Sequence, residues 1–263
     1  MIVFERGRVK SGMTRRNKHG VVGVVFAGGE GRRLRPLTYY FQKCMIPVGN
    51  RQKPLLEYIL LSLKRHGIVD AKFLVGYKHE QIVNYFDDGG RFGIGIEYFT
   101  DDPSLGGSGG ALLNAAKRGA FDGAGILLVY YGDILSNIDL SALVRQHVDS
   151  GSLATLAVTN GFEVPVGVAE VDGSRVKDWR EKPLIDIHAG IGIVALSPGA
   201  LEALEELAEE RVNIDLMGDL IPFLLEGGGR VDAYFTDAFW YDVGSTEKYE
   251  KIDNGLIDKL FGV

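Results

Sequence analysis

The sequence predicts an α/β fold in which a doubly wound, mostly parallel sheet lies between two layers of helices. The first observation is an uninterrupted apolar run at 21–26 that ends at Ala27-Gly28-Gly29, as in a strand buried on both faces. The second is the alternation of strand and helix patterns from there to residue 148, which is typical of repeated β-α units. With 46% hydrophobic residues in 263, we expect one domain over 21–263.

The elements that follow are justified by periodicity and by their end signals. A helix is expected from Pro54 to Gly67, because Pro is favoured in the first helical turn and Gly after the last. Strand patterns then occur at 71–76, 94–99 and 126–131, and helix patterns at 108–118 and 140–148.

Beyond residue 153 the pattern changes. Four strand patterns without intervening helices lie at 154–159, 166–171, 176–180 and 187–196. We therefore expect a β-rich excursion over one edge of the sheet, spanning about 153–196. The remaining patterns are helices at 198–207 and 216–225, a strand at 231–235 and a terminal helix that Ser245 could cap.

Composition limits the possible classes of protein. No apolar stretch approaches the ~20 residues that a membrane span requires, the single cysteine, Cys44, cannot form an internal disulfide, and no secretory signal pattern opens the chain. We expect a soluble, cytoplasmic protein without membrane partners. Residues 1–20 hold six basic side chains against one acidic, so we expect a basic, flexible extension there, with no function assigned. The net charge of −6 argues against a nucleic-acid binder.

A loop rich in glycine and arginine follows the first strand. Gly28, Gly29 and Gly31 would let the backbone approach a ligand closely, and the arginines at 32, 33 and 35 are suited to phosphate. The alternative is a tight turn with solvated arginines. The dinucleotide fingerprint is absent, because Leu34 stands where its third glycine would be, and so is the Gly-Lys-Ser/Thr ending of the P-loop. A hydride-transferring oxidoreductase is therefore disfavoured.

Five segments then occur in one order along the chain. They are Gly28-Gly29-Glu30-Gly31-Arg32-Arg33-Leu34-Arg35-Pro36-Leu37-Thr38 with Lys43-Cys44-Met45-Ile46-Pro47-Val48, Leu105-Gly106-Gly107-Ser108-Gly109-Gly110-Ala111-Leu112, Tyr131-Gly132-Asp133, Glu181-Lys182-Pro183, and Trp240-Tyr241-Asp242-Val243-Gly244-Ser245. Over about 21–250 the chain thus resembles the sugar-1-phosphate nucleotidylyltransferases, among them glucose-1-phosphate thymidylyl- and uridylyltransferases and mannose-1-phosphate guanylyltransferases. The resemblance implies a Rossmann-like mixed sheet of the nucleotide-diphospho-sugar transferase type, with the sugar bound by the β-rich excursion.

The resemblance also implies a reaction and a set of site residues. A sugar-1-phosphate would attack the α-phosphorus of a nucleoside triphosphate, pyrophosphate would leave in line, and Mg²⁺ would assist. Because the attacking phosphate is already largely ionised near neutral pH, no general base is required. The residues implied are Arg33, Lys43 and Lys182 for catalysis, Ala27, Gly28, Gly29, Gly31, Gly106 and Gly107 for the nucleotide, Gly167, Glu181 and His188 for the sugar, and Asp133 and Asp242 for the metal.

Several points stay open from the sequence. Taken singly, each lysine is more typical of a solvated surface, and each aspartate is as typical of a turn or helix cap. Arg32, Cys44 and His188 depart from the family pattern, and neither base nor sugar can be chosen. The family's left-handed β-helix acyltransferase domain is not expected, while a homo-oligomer is possible by resemblance. Two other classes of function remain, a non-catalytic regulatory paralogue that binds nucleotide sugar and a glycosyltransferase.

Overall fold

The computed structural model describes residues 20–164 and 166–262, so the predicted extension over 1–20 lies outside it except for Gly20. The strands of the described part are β1 (Val21–Ala27), β2 (Pro47–Val48), β3 (Lys53–Pro54), β4 (Asp70–Val75), β5 (Gly95–Thr100), β6 (Ile126–Tyr131), β7 (Ile134–Ser136), β8 (Ala154–Glu163), β9 (Val168–Asp172), β10 (Arg175–Arg180), β11 (Leu184–Leu196), β12 (Val231–Thr236) and β13 (Trp240–Asp242). The α-helices are α1 (Leu55–Arg65), α2 (His79–Phe86), α3 (Gly107–Lys117), α4 (Leu140–Ser150), α5 (Gly199–Glu210), α6 (Ile221–Glu226), α7 (Thr246–Glu250) and α8 (Asn254–Phe261).

Seven strands form the central sheet, in the order β12-β8-β11-β6-β1-β4-β5. β1 pairs in parallel with both β4 and β6, whereas β11 runs antiparallel to its neighbours β6 and β8. The expectation of a mixed, mostly parallel α/β sheet is therefore confirmed. The chain leaves β1 toward β4 and β5 on one side and returns to β6 on the other, so β1 and β6 flank the point where the strand order reverses. Ligands of open α/β sheets bind outside the carboxyl ends of strands at such a point.

The core lies on both faces of this sheet. In β1, Val21 and Val25 pack among the helices α1, α2, α4 and α8, while the alternate residues Val22 and Val24 pack among α3, α5 and α6. Successive side chains of a strand point to opposite faces, which explains the continuous apolar run of the sequence. Burial of each such valine is worth about 1.5–3 kcal/mol, and the three layers follow from it.

The β-rich excursion is only partly separate from the sheet, which corrects the expectation for 153–196. β8 and β11 pair with each other and with β12 and β6, so both belong to the central sheet. Only the hairpin β9–β10 stands apart from it. The physical reason is burial, because residues 191–196 supply apolar side chains to both core faces, whereas every residue of β10 is exposed.

Other differences concern helices. α2 is an element that the sequence analysis did not predict, and the helix expected over 216–225 begins as a wide π-type turn at Leu216–Leu220 before α6. Asp215 caps this turn by accepting hydrogen bonds from the backbone N–H of Met217 and Gly218. Ser245 does cap α7 as expected, but a second helix, α8, follows.

None of the helices formed by the described residues has the length and apolar character needed to cross a membrane.

Candidate active site

A cavity of about 430 Å³ opens at the carboxyl ends of β1, β4, β5 and β6. It lies at the reversal of strand order, where the fold is expected to bind a ligand. Seven of the residues that the sequence predicts for the site line it, namely Ala27, Gly28, Gly29, Lys43, Gly106, Gly107 and Asp133. The structure thus brings together the residues predicted for the nucleotide except Gly31, one of the lysines predicted for catalysis and one of the aspartates predicted for the metal.

The loop after β1 has a conformation that requires glycine at one position. Gly31 adopts a left-handed backbone with φ of 62°, and a Cβ there would lie 2.9 Å from Cγ2 of Thr38. The Thr38 hydroxyl donates a 2.9 Å hydrogen bond to the Gly31 carbonyl, which holds the loop in this shape. Gly31 therefore shapes the loop from just outside the cavity wall.

The three arginines of the loop differ in their partners. The Arg32 guanidinium pairs with Glu30 at 2.7 Å, and that of Arg35 lies 3.7 Å from the same carboxylate. Among the described residues, Arg33 has no carboxylate within ion-pair distance. Its backbone carbonyl lies 3.4 Å from the hydroxyl of Thr246, at the start of α7. Arg33 is thus the arginine of this loop whose charge is not already neutralised.

Gln42 organises the segment between this loop and Lys43, and sequence reasoning missed it. Its side chain is fully buried, donates a 2.7 Å hydrogen bond to the Ala27 carbonyl and accepts one of 2.5 Å from the Cys44 N–H. It therefore ties the end of β1 to the turn that carries Lys43. The only local signal is a polar residue after an aromatic run, which predicts nothing specific.

Lys43 forms an ion pair with Asp133 inside the cavity. The two side chains are 15% and 20% exposed, respectively, so the charges are partly shielded from water and interact more strongly than a surface pair. The residues lie 90 positions apart in the chain. The fold thus brings together two residues for which the sequence predicts different roles, Lys43 at the α-phosphate region and Asp133 at the metal.

Asp242 lies beside Asp133 through strand pairing. β13 runs antiparallel to β7 with Asp242 opposite Ile134, and the Val243 N–H donates a 2.8 Å hydrogen bond to the Asp133 carbonyl. The Asp242 carboxylate accepts a 2.6 Å hydrogen bond from Lys248 of α7. Asp242 is not part of the cavity lining, but the sheet places it one position along from Asp133 on the neighbouring strand.

The donor set suits Mg²⁺ better than a metal held entirely by protein. Among the described residues no three His, Cys, Asp or Glu side chains converge on one point. Mg²⁺ is commonly bound by one or two carboxylates together with waters and substrate phosphates. Asp133 and Asp242 are the carboxylates that the sequence predicts for this role, and each forms an ion pair with a lysine, Lys43 and Lys248 respectively.

Glycines at the start of α3 close another wall of the cavity by tight packing. Gly107 has φ of 78°, and a Cβ on it would overlap the Ile214 carbonyl. Gly106 donates a 2.7 Å hydrogen bond to the Val212 carbonyl and accepts one of 2.9 Å from the Ile214 N–H. These glycines hold α3 against the 212–214 segment, a structural role that accompanies their place in the cavity.

The residues predicted for the sugar do not line the cavity. A Cβ on Gly167 would overlap the ring of Trp179, and the His188 ring packs edge-on against Phe235 with centroids 4.9 Å apart. Glu181 and Lys182 are exposed between β10 and β11. Contact of these four residues with a sugar stays a prediction.

Cys44, which departs from the family pattern, is buried behind the site. Burial raises the pKa of its thiol to about 12, and the neighbouring Asp133 carboxylate adds to this effect. The thiol is thus protonated and unreactive near neutral pH. Cys44 packs close to Gly132, so the structure gives it a packing role.

The fold and the cavity define an α/β protein with a glycine-rich loop at the reversal point of its sheet. The family model described as nucleotidyl transferase matches residues 22–259. The chain belongs to this nucleotidyl transferase family.

The names of similar proteins describe activities of one kind. The chain is 29% identical over 253 residues to a UTP–glucose-1-phosphate uridylyltransferase of a Synechocystis species, covering 90% of this chain but only 63% of that protein. It is 30% identical to a D-glycero-alpha-D-manno-heptose 1-phosphate guanylyltransferase of Aneurinibacillus thermoaerophilus, covering 89% of this chain and 97% of that one. A solved structure from Bacillus anthracis matches with a TM-score of 0.71 at 23% identity, over 92% of this chain and 99% of that one, and so shares the fold.

Proposed function

We propose that this protein transfers a nucleotidyl group from a nucleoside triphosphate to a sugar-1-phosphate, with Mg²⁺, and releases pyrophosphate. The observation that carries the proposal is the Lys43–Asp133 pair in a cavity walled by the glycine-rich loop. The family membership and the names of the relatives agree with it. The nucleobase and the sugar are not part of this proposal.

The residues of the cavity fit the needs of the reaction. An attack of one phosphate on another must hold two anions together and stabilise the charge of the leaving group. Lys43 would neutralise the α-phosphate region, and Arg33, which has no partner in the loop among the described residues, would stabilise the departing pyrophosphate. Lys182 would hold the sugar phosphate.

Asp133 and Asp242 would hold the Mg²⁺. When bound, the ion would supply positive charge to the phosphate oxygens. Lys43 would then be released from Asp133 to face the phosphate instead. The residues of the protein would position the two anions in the shielded cavity. The lysine side chains would move away from their carboxylate partners when the metal binds.

The test is a pyrophosphate-release assay with and without Mg²⁺. The four ribonucleoside triphosphates and dTTP are crossed with the 1-phosphates of glucose, mannose, galactose and N-acetylglucosamine. The matched variants are Arg33→Gln and Arg32→Gln. We expect loss of Arg33 to lower kcat about 100-fold or more, whereas loss of Arg32, already paired with Glu30, should change it less than about threefold.

Three results would contradict the proposal. The first is equal losses in both arginine variants, and the second is turnover that persists after EDTA treatment. The third is the absence of pyrophosphate release with every pair of substrates while nucleotide sugars still raise the melting temperature. That result would instead support a regulatory protein that binds nucleotide sugars.

A further inference from the structure

The loop that leads to Lys43 is held by side chains of one neighbouring segment. Between β1 and β2 the chain forms three 3₁₀ turns of three residues each, so much of its backbone needs hydrogen-bond partners from elsewhere. Three consecutive carbonyls of this loop accept hydrogen bonds from side chains at 77–81, and the pairs are Thr38 with Tyr77, Tyr39 with Lys78, and Tyr40 with Gln81. The start of α2 and the two residues before it thus fasten the loop.

Gln81 differs from the other two donors because it makes a second hydrogen bond to the loop. Its Nε2 donates a 2.7 Å hydrogen bond to the Tyr40 carbonyl, and its Oε1 accepts one of 2.7 Å from the backbone N–H of Gln42. A side-chain amide can serve both groups at once because it carries a donor and an acceptor. Gln81 therefore fixes the backbone of the residue that directly precedes Lys43.

The helix that carries Gln81 is anchored in the core. Ile82 and Phe86 of α2 are fully buried, and the Phe86 ring packs edge-on against Phe73 of β4 with centroids 6.0 Å apart. β4 in turn pairs with β1, the strand that leads into the loop. A side chain on such a fixed element can position another group precisely.

The backbone of Gln42 determines how Lys43 is presented. Gln42 caps the 3₁₀ turn Lys43–Met45, and its side chain accepts a hydrogen bond from the Cys44 N–H. A displacement of Gln42 would therefore move the whole turn and, with it, the lysine that faces Asp133. Misplacement of a charged group by about 1 Å can cost a reaction about 100-fold in rate.

We propose that Gln81 is a positioning residue for Lys43 and acts through the backbone of Gln42. This inference rests on the proposed nucleotidyl transfer for the role of Lys43, and it adds a residue of another element that sets the place of this lysine. Gln81 is not among the described residues that line the cavity, so its effect on the reaction passes through the loop.

The first experiment compares Gln81→Met with Gln146→Met in the pyrophosphate-release assay. Methionine keeps an unbranched side chain but removes both hydrogen bonds of Gln81. Gln146 lies on α4 and donates one 2.9 Å hydrogen bond to the Ala233 carbonyl, so it is a matched control. We expect Gln81→Met to lower kcat about 10- to 100-fold and to change KM for the nucleoside triphosphate less than about threefold. Gln146→Met should keep both constants.

The second experiment follows amide hydrogen exchange in the full chain and does not depend on activity. The N–H groups of Cys44 and Met45 donate to the side chain and the carbonyl of Gln42, respectively. In Gln81→Met both should exchange about 10-fold faster or more, whereas a purely local role of Gln81 would change only the Gln42 amide. Wild-type exchange rates in β1 and an unchanged melting temperature would show that the variant is folded.

The outcomes separate this inference from the proposed function. A folded Gln81→Met protein with wild-type kcat, a loss confined to KM, or equal losses in the two glutamine variants would overturn the positioning role. Unchanged exchange at Cys44 and Met45 would overturn it as well. Absence of pyrophosphate release in the wild type would contradict the proposed function, and the exchange rates would still decide whether Gln81 fixes the turn.

Discussion

Gln42 determines, at the scale of one residue, where Lys43 is placed. Replacing Gln42 by Leu would leave the Ala27 carbonyl and the Cys44 N–H without their side-chain partner, and each unsatisfied group costs about 1–3 kcal/mol. We expect Gln42→Leu to lower the free energy of unfolding by about 2–5 kcal/mol, measured by urea denaturation. Pyrophosphate release should fall as well, since Lys43 would lose its fixed position.

A matched glutamine is available for comparison. Gln146 makes a single 2.9 Å hydrogen bond to the Ala233 carbonyl on a partly buried surface away from the cavity. Gln146→Leu should cost less than about 1.5 kcal/mol and leave pyrophosphate release intact. Similar losses in the two variants would show that Gln42 has no special part in holding the loop.

Single residues also mark the limit of what could be predicted for the site. Gly31 and Lys43 belong to motifs whose residue types already indicate phosphate binding. Gln42 acts through contacts with the backbone of Ala27 and Cys44. Such contacts leave no pattern in the neighbouring sequence, so Gln42 emerges only from the folded chain.

At the scale of elements, the start of α3 depends on a glycine in contact with the backbone of another segment. Gly107 combines φ of 78° with a Cβ position that overlaps the Ile214 carbonyl, whereas Gly123 has φ of 75° and open space around it. Gly123→Ala should therefore cost about 1–2 kcal/mol of stability from backbone strain alone. Gly107→Ala should cost at least about 2 kcal/mol more, because α3 must also shift.

The two alanine variants are compared by chemical denaturation and by nucleotide binding. Gly107→Ala should weaken nucleotide binding because Gly107 lines the cavity, and Gly123→Ala should leave it unchanged. Equal losses of stability would mean that the contact with Ile214 relaxes freely, which would contradict the packing role assigned to Gly107.

Elements also show where periodicity misled the prediction. The alternating pattern over 154–196 predicted the strands correctly, but it did not indicate which sheet each strand would join. β8 and β11 belong to the central sheet because their apolar side chains pack into its core. The residues of β10 are exposed, and the β9–β10 hairpin stays outside that sheet. Strand partnership depends on faces that meet only after folding.

At the scale of the whole molecule, a buried histidine links stability to pH. His147 is 2% exposed and hydrogen-bonds to the hydroxyls of Thr155 at 2.9 Å and Ser197 at 3.0 Å. Burial lowers its pKa from the ordinary 6.5, although Asp232 opposes this effect. Burial likewise lowers the pKa of His66, against the opposing charge of Asp139.

The sign of the effect follows from proton binding. Below pH 6.5 the unfolded chain binds protons at these histidines more readily than the folded chain, so their contribution to stability is present above that pH and is lost as pH falls. We expect the free energy of unfolding to fall from pH 7.5 to pH 5.5, with at most about 1.4 kcal/mol per pH unit from each histidine. Urea denaturation across this range measures the slope.

His147→Gln should flatten this dependence even if the variant is less stable at every pH. His66→Gln, which removes the other group, should flatten it separately. Parallel pH profiles for the wild type and both variants would contradict the assignment of this slope to the two histidines.

The sequence by itself determined the succession of most strands and helices, the buried character of β1 and β6, and the place of the glycine-rich loop for which an anion site is predicted. These are local properties, since periodicity, end signals and loop composition act within one or two dozen residues. Only the tertiary structure decided that Lys43 meets Asp133, that Asp242 lies beside Asp133 and that Gln42 supports the loop. Those contacts join positions far apart in the chain, and they form because the order of strands in the sheet, which no local pattern records, brings the carboxyl ends of β1 and β6 to one edge.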